Sequence, residues 1–257
     1  MAIVAIIPAR FASTRLPGKP LSDIHGKPMI QHVYERASRA RCLDLVLVAT
    51  DDERIASAVH AFGGEVVMTS PRHASGTDRL AEAVGGTDAT IVVNVQGDEP
   101  LVDPSSIDAA VAALRDEPDA PMATLSRPLT DVGEMMSPAV VKVVVDARGD
   151  ALYFSRSPIP YLRTADGGPI EAARAAVARG IARKHVGLYV YRREALLRFA
   201  SLPPSSLEQA EGLEQLRALH HGMRIRVAPL PATADAVAVD TPEDLERVRA
   251  LLAVGPR

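Results

Sequence analysis

The stretch AIVAIIPARFASTRLPGKPL, residues 2–21, passes from an apolar run into a polar loop that contains no acidic residue. Its first part, IVAII at residues 3–7, is typical of a strand that is buried on both faces of a parallel sheet. The loop at residues 8–21, called the opening loop below, carries Arg10, Arg15 and Lys19. Ligands of open α/β sheets bind beyond the carboxyl ends of the strands, so this loop is expected to face a ligand.

Apolar runs at residues 45–49, 65–68 and 91–95 repeat the pattern of the first strand. Segments with helix-like spacing lie between the earlier runs, at residues 28–40 and 51–62. Continuous apolar strands that alternate with helices form parallel sheets covered on both sides. The sequence therefore predicts an α/β, Rossmann-like fold with a mostly parallel central sheet and helices on both faces.

The alternation of strands and helices ends near residue 120. Strands without regular helices between them are predicted at residues 121–129, 139–146 and 151–156. This pattern indicates a smaller antiparallel or mixed extension at about residues 120–190, in which the glycine- and alanine-rich residues 164–180 form a loop. The remaining predicted elements are strands at 185–192 and 224–228 and helices at 193–200, 206–219 and 241–253.

Composition excludes several classes of protein. A net charge of −3 and a pI near 6.2 provide no global basic field, so neither nucleic acid nor an anionic membrane is an expected partner. The single cysteine, Cys42, excludes an intrachain disulfide and fits a reducing compartment. The first apolar run is short and precedes its positive charge, unlike a secretion signal, so we expect a cytoplasmic protein.

The cations of the opening loop predict a polyphosphate site. The loop matches neither GxxxxGK[ST] nor GxGxxG, but Arg10, Arg15 and Lys19 stand beside Gly18 in an RxxxxRxxGK pattern. Exposed amides and cations in one loop can hold phosphate oxygens, and arginine can grip them in bidentate fashion. The alternative interpretation is a solvated basic loop.

Two aspartates are candidate metal ligands. Asp98, in QGDEP at residues 96–100, follows an apolar strand, and Mg²⁺ prefers one or two carboxylates completed by water and substrate phosphate. Asp240 follows a short apolar run, predicted to be a strand, and precedes a helix. The alternatives are that QGDEP is only a turn and that Asp240 only caps the helix.

A polar turn at residues 73–76 leads into an amphipathic helix. Ser75, Gly76 and Thr77 can present hydroxyl groups and helix N-terminal amides to an anion or a base edge. Capping of that helix is the alternative role.

Seven collinear motifs resemble one family, that of the 3-deoxy-D-manno-octulosonate (Kdo) cytidylyltransferases, from residue 2 to about residue 252. They are PARFASTRLPGKPL, ATDDERIA, SGTDRLAEA, NVQGDEP, YFSRSPIPY, LEQAEGLEQLRAL and VDTPEDLERVRALL. The resemblance implies a single nucleotidyltransferase-type domain over residues 1–257. It also implies that the 120–190 extension serves dimerisation and sugar binding, and that the protein is a homodimer.

The resemblance further implies transfer of CMP from CTP to the anomeric hydroxyl of Kdo, with Mg²⁺, for lipopolysaccharide biosynthesis. The implied catalytic residues are Arg10, Lys19, Asp98 and Asp240, of which Asp98 and Asp240 bind the metal. The implied nucleotide-binding residues are Pro8, Ala9, Arg10, Arg15, Lys19, Ser75, Thr77 and Arg79. The implied sugar-binding residues are Gln96, Arg156, His185, Glu211 and Gln215.

The residue types suit these roles. The planar fork of Arg156 can donate two parallel hydrogen bonds to a carboxylate. Glu211 and Gln215 are four apart on one predicted helix, so both would reach sugar hydroxyls. Tyr161 and Val190 depart from the family pattern, which has tryptophan in many relatives at the first position and a small residue at the second.

Three other functions remain open. A cytidylyltransferase for a related acid sugar, sialic acid or amino-Kdo, would have the same nucleotide motifs. A nicotinamide-dependent oxidoreductase would use a similar sheet, although the missing GxGxxG argues against it. A nucleotide sensor without turnover would not need both Asp98 and Asp240.

Overall fold

The computed structural model describes residues 2–12, 16–73, 75–163, 167–234 and 237–253. The strands are Ala2–Ala9 (β1), Asp23–Ile24 (β2), Lys27–Pro28 (β3), Leu45–Thr50 (β4), Glu65–Met68 (β5), Ala89–Asn94 (β6), Met122–Pro128 (β7), Lys142–Val145 (β8), Ala151–Ser155 (β9), Arg183–Arg192 (β10) and Ile225–Pro229 (β11). The helices are Met29–Ala37 (α1), Glu53–Ala61 (α2), Gly76–Val84 (α3), Pro104–Arg115 (α4), Val132–Met136 (α5), Pro169–Ala178 (α6), Arg193–Ser201 (α7), Ser206–Glu211 (α8), Gln215–His220 (α9) and Pro242–Ala253 (α10).

The chain forms two compact units. Unit 1 comprises Met1–Asp108, Val190–Ala200 and Ala236–Arg257, and unit 2 comprises Ala109–Tyr189 and Ser201–Asp235. None of the helices in the described ranges is both long and apolar enough to cross a membrane.

Unit 1 contains the parallel strands that the sequence predicts. β1 lies between β4 and β6, β5 pairs with the other edge of β4, and all of these pairings are parallel. Ile6, Ile7, Val48 and Val92 are fully buried, as expected for strands that are covered on both faces. The mostly parallel central sheet, flanked by helices, confirms the predicted α/β fold class.

The last helix of unit 1 is anchored to the beginning of the chain. Val239, Leu245 and Val248 form one buried cluster with Ile24 and Met29. Burial of these apolar side chains provides the free energy that holds the segment preceding α10 beside the opening loop. The apolar run before Asp240, residues 236–239, was predicted to be a strand, but this is wrong for the described residues 237–239, which form no strand.

Unit 2 contains antiparallel pairings. β8 pairs antiparallel with β9 and β10, whereas β7 and β11 are parallel. The prediction of a loop over residues 164–180 is wrong for residues 169–178, which form α6. Pro169 stands in the first turn of this helix, where its missing N–H costs nothing, and the following alanines favour helix. The short helix α5 also lies where no regular helix was expected.

The prediction of one helix over residues 206–219 is also wrong. α8 ends at Glu211, the next residue Gly212 has φ 62°, and α9 begins only at Gln215. Glycine adopts this left-handed conformation without the steric penalty of a side chain, so it ends the helix. Glu211 and Gln215 therefore lie on different helices, and their spacing of four residues does not place them on one face.

Candidate active site

The candidate site lies in unit 1, beyond the carboxyl ends of β1 and β6. The backbone N–H of Val95 donates to the carbonyl oxygen of Ile6, which continues the pairing of these strands toward the site. A Cβ atom on Gly97 would lie only 2.7 Å from the Pro8 carbonyl oxygen. Glycine is therefore required where the turn after β6 approaches the opening loop.

Contacts fix the conformation of the opening loop in its described residues, 8–12 and 16–21. Gly18 adopts φ 69°, and its N–H donates to the carbonyl oxygen of Phe11. The guanidinium of Arg54 stacks on the Phe11 ring, 3.3 Å from its centroid, as a cation–π contact. Lys19 follows Gly18 and begins a short 3₁₀ turn. Arg15, a predicted phosphate ligand, lies outside the described residues.

Lys19 brings the two predicted metal ligands together. Its Nζ lies 2.7 Å from Asp98 Oδ2 and 3.1 Å from Asp240 Oδ1. Its third acceptor is the carbonyl oxygen of Val239, at 2.8 Å. Because both oxygens contact the same nitrogen atom, Asp98 Oδ2 and Asp240 Oδ1 lie close to each other.

Backbone hydrogen bonds place Asp240 beside Asp98. The N–H of Val239 donates to the carbonyl oxygen of Asp98 at 2.9 Å. Thr241 and Asp244 bond reciprocally at the start of α10, with the Thr241 hydroxyl accepting from the N–H of Asp244. Thr241 therefore caps the helix, and the Asp240 carboxylate contacts Lys19 instead.

The start of α3 forms a second wall of the site. Ser75 accepts from the N–H of Asp78, and Asp78 accepts from the N–H of Ser75, so the capping role of Ser75 is present. Arg79 is buried, lies 3.3 Å from the Asp51 carboxylate and donates to the Thr69 hydroxyl. Thr77, another predicted nucleotide ligand, is almost completely buried.

A cleft of about 450 Å³ joins these elements within unit 1. Its walls contain the predicted residues Pro8, Ala9, Arg10, Lys19, Ser75, Arg79, Gln96, Asp98 and Asp240, together with Ala12, Pro20, His73, Gly76 and Gly97. The predicted residue Thr77 does not line it. His73 had no assigned role in the sequence; its Nε2 bonds the Glu82 carboxylate. The only signal for His73 was its position in the same polar turn as Ser75.

The donors of the cleft fit a divalent cation. Carboxylate oxygens are the hard ligands that such ions prefer, and Asp98 and Asp240 already converge on one positive charge. The described residues contain no group of three or more histidine, cysteine or acidic side chains that would form a complete protein cage. Water and substrate oxygens would have to complete the coordination, which is usual for ions that accompany phosphate.

Arg156 and Glu211, predicted sugar ligands, contact each other in unit 2. The Glu211 carboxylate accepts from the Ser155 hydroxyl at 2.6 Å and from the Arg156 N–H at 2.9 Å. The Arg156 guanidinium donates to the carbonyl oxygens of Glu211 and Pro138. Several donors of Arg156 and acceptors of Glu211 are therefore already engaged in hydrogen bonds within unit 2.

His185, also in unit 2, is a buried neutral side chain. Its ring packs against Phe154 and Tyr189, with centroids 5.0 and 5.4 Å away. Its Nε2 lies 3.0 Å from the hydroxyl of Thr124. Burial lowers the pKa of His185 to about 3, because an imidazolium would lose its hydration there. Gln215, the remaining sugar candidate of unit 2, is largely buried.

Comparison with known proteins identifies the family of the chain. The model of the family described as Cytidylyltransferase matches residues 4–225. A 3-deoxy-manno-octulosonate cytidylyltransferase of Geobacter sulfurreducens is 56% identical over 96% of this chain and 98% of the relative. One of Syntrophotalea carbinolica is also 56% identical, over 98% of this chain and 99% of the relative.

The chain belongs to the 3-deoxy-manno-octulosonate cytidylyltransferase family. A solved structure described as CMP:2-keto-3-deoxy-manno-octonic acid synthetase complexed with CTP covers all of both chains, with a TM-score of 0.89 and 49% identity. A cytidylyltransferase structure from Leptospira borgpetersenii, 17% identical with a TM-score of 0.64, supports the fold alone. A cytidylyltransferase family with a CTP-bound member is consistent with the use of a divalent metal ion.

Proposed function

We propose that this protein transfers CMP from CTP to the anomeric hydroxyl of Kdo and releases pyrophosphate, supplying CMP-Kdo for lipopolysaccharide biosynthesis. The observation that carries the proposal is the convergence of Asp98 and Asp240 on one cation, in the lining of a cleft that also contains residues of the opening loop. Relatives more than 50% identical over nearly the whole chain bear the name of this activity.

The nucleotide is proposed to bind along the opening loop and the start of α3. CTP carries about four negative charges and Kdo carries a carboxylate, so their approach requires compensating positive charge. Arg10 is exposed in the cleft, and we propose that it binds the triphosphate together with Lys19 and Arg15. Pro8 and Ala9 would provide backbone contacts, and Ser75 and Arg79 would form the wall beside the nucleotide. Thr77, which does not line the cleft, would act from its buried position at the start of α3.

We propose Mg²⁺ as the metal ion, held by Asp98 and Asp240. When bound, it would neutralise phosphate charge and stabilise the pyrophosphate leaving group. The protein contributes the geometry: the backbone hydrogen bond from Val239 to Asp98 holds the two segments that carry the carboxylates side by side. The attack requires no covalent bond to the enzyme, and the role of the protein is to orient the reactants.

The sugar-binding roles of Gln96, Arg156, His185, Glu211 and Gln215 are proposals of the same kind. Because the Arg156 guanidinium already donates to the carbonyl oxygens of Pro138 and Glu211, a Kdo carboxylate would use its remaining N–H groups. Neutral His185 would exchange a hydrogen bond with a hydroxyl rather than pair with a charge.

Pyrophosphate release with CTP, Kdo and MgCl₂ tests the proposal. We expect turnover in the wild type and a loss of at least about a hundredfold in Asp98→Asn and Asp240→Asn, since each removes one charge from the metal pair. Asp116→Asn, at an exposed acid outside the cleft, is the matched control and should keep full activity. Undiminished turnover in either cleft variant would refute the metal role.

The same assay decides between acceptor sugars. We expect Kdo to give the highest kcat/KM, whereas higher values with amino-Kdo or sialic acid would favour the alternative, a cytidylyltransferase for a related acid sugar. No pyrophosphate with any acceptor would refute a transferase. Binding of NAD would then favour an oxidoreductase, and binding of CTP without turnover a sensor.

We further propose a cytoplasmic homodimer, built as a single nucleotidyltransferase-type domain whose 120–190 extension provides the subunit contact. Dependence on CTP and the single cysteine support the location. Large apolar side chains on unit 2, at Leu152, Tyr161 and Ile170, are more than half exposed, which supports a covering partner. Light scattering should give twice the chain mass, and Leu152→Asp should reduce it to the monomer value.

A further inference from the structure

The Lys19 ammonium in this structure has no N–H left for a phosphate. A lysine ammonium has three donors, and here they match three acceptors: Asp98 Oδ2, Asp240 Oδ1 and the carbonyl oxygen of Val239. Lys19 is also largely shielded from water, since only 15% of its side chain is exposed. To bind the triphosphate, as the proposed function requires, Lys19 must exchange at least one of these bonds.

The same ammonium lies where a metal ion would be coordinated. Mg²⁺ binds carboxylate oxygens at about 2.0–2.1 Å, closer than the contacts that Lys19 makes with the same two oxygens. A divalent ion that joined Asp98 to Asp240 would therefore stand against a positive charge within a few ångströms. Their repulsion is strong in a cleft that is partly shielded from water. The ion and the ammonium compete for one place.

We infer that Lys19 is a built-in competitor that keeps the Asp98–Asp240 pair from loading metal until the nucleotide arrives. The triphosphate offers the ammonium a new anionic partner, and the carboxylates released by that movement accept the divalent ion. Metal and nucleotide thereby bind cooperatively, and by linkage each increases the affinity for the other. The inference rests on the proposed function, from which it takes the metal and triphosphate roles.

The conformation of the loop allows such a movement. Lys19 is anchored at its backbone, because Gly18 is fixed in the left-handed region and the N–H of Ser22 donates to the Lys19 carbonyl oxygen. Its long side chain can therefore swing while the loop stays in place. Arg10 is already exposed in the cleft and can make the first contact with a phosphate.

Binding of Mn²⁺ without nucleotide, followed by the electron paramagnetic resonance signal of the free ion, tests this inference. We expect weak binding by the wild type, and affinity higher by at least about tenfold in Lys19→Met. Lys19→Gln, which can still bond the Val239 carbonyl, should show the same increase in Mn²⁺ affinity. Agreement between the two variants would show that the increase does not come from misfolding. Lys27→Met removes an ammonium paired with Glu35 outside the cleft and is the matched control.

Two further measurements complete the test. Adding CTP should raise the Mn²⁺ affinity of the wild type more than that of Lys19→Gln, and Asp98→Asn should abolish the gain in the Lys19→Gln background. Equal Mn²⁺ affinities of the wild type and both Lys19 variants, or a gain that survives Asp98→Asn, would overturn the inference. The proposed function fails separately, if the wild type releases no pyrophosphate from CTP with Kdo and MgCl₂.

Discussion

Replacing Gly97 by alanine should impair catalysis much more than it impairs stability. The added Cβ would lie 2.7 Å from the Pro8 carbonyl oxygen, whereas ordinary van der Waals contact begins at 3.4 Å. The turn after β6 and the end of β1 must therefore separate by about 0.7 Å. The Pro8 carbonyl oxygen is a backbone atom, so rotation of a side chain cannot relieve the contact.

This separation moves Asp98 relative to the opening loop. Overpacking of this size costs about 1–3 kcal/mol of the free energy of unfolding. For a chain of this length, that lowers the melting temperature by about 2–12 °C. Misplacing reacting groups by about 1 Å costs on the order of a hundredfold in rate, so we expect kcat/KM to fall by about tenfold to a hundredfold.

Steady-state pyrophosphate release and a thermal melt, measured on the same preparation, check this expectation. Gly168→Ala is the matched control, because Gly168 has φ −75° and an added Cβ there meets nothing within 4 Å. It should retain wild-type kinetics. A Gly97→Ala enzyme with kcat/KM within about twofold of the wild type would refute the proposed dependence of catalysis on this close approach.

Other variants test features outside the cleft. Gly212→Ala, at φ 62°, should lower the free energy of unfolding in urea by about 1–2 kcal/mol, because alanine is strained there. Lys142→Met should lower it by about 3 kcal/mol or more, because the fully buried ammonium donates to the carbonyl oxygens of Ser137, Val140 and Arg156. In an unfolded chain His185 binds a proton below pH 6.5, but the folded form does so only near pH 3. The contribution of neutral His185 to the free energy of unfolding is therefore complete above pH 6.5 and falls by about 1.4 kcal/mol per pH unit below it, because its pKa is lowered in the folded state. In His185→Asn, the urea midpoint should therefore change less between pH 6.5 and 5 than it does in the wild type.

The strands of unit 1 and the positions of Asp98 and Lys19 could be predicted because they follow from the order of the strands. Continuous apolar runs indicate buried parallel strands, and residues at the carboxyl ends of such strands meet at one edge of the sheet. Asp98 lies in the turn after β6 and Lys19 in the loop after β1, and these two strands pair, so their proximity follows from topology. The pairing of Asp240 with them depends on the docking of α10, which the sequence suggests only through its resemblance to a family.

The errors have a common physical origin. In residues 169–178 the glycines before the segment suggested a loop, but alanines with one buried face form a helix once a core covers them. In residues 206–219 helical periodicity continues across Gly212, and only the left-handed backbone of that residue divides the helix. Side-chain partners such as the three carbonyls around Lys142 depend on tertiary packing and leave no pattern in the sequence.

The hydrogen bond from Val239 to Asp98 ties the centre of the cleft to a segment that is synthesised long after Asp98. On the ribosome, the early strands emerge and can fold first. Asp240 is not held beside Asp98 until α10 has emerged and packed against the Ile24 and Met29 side chains. A nascent chain can thus bury most of its sheet while Asp98 and Asp240 are still apart, so the paired carboxylates form only after α10 has been synthesised.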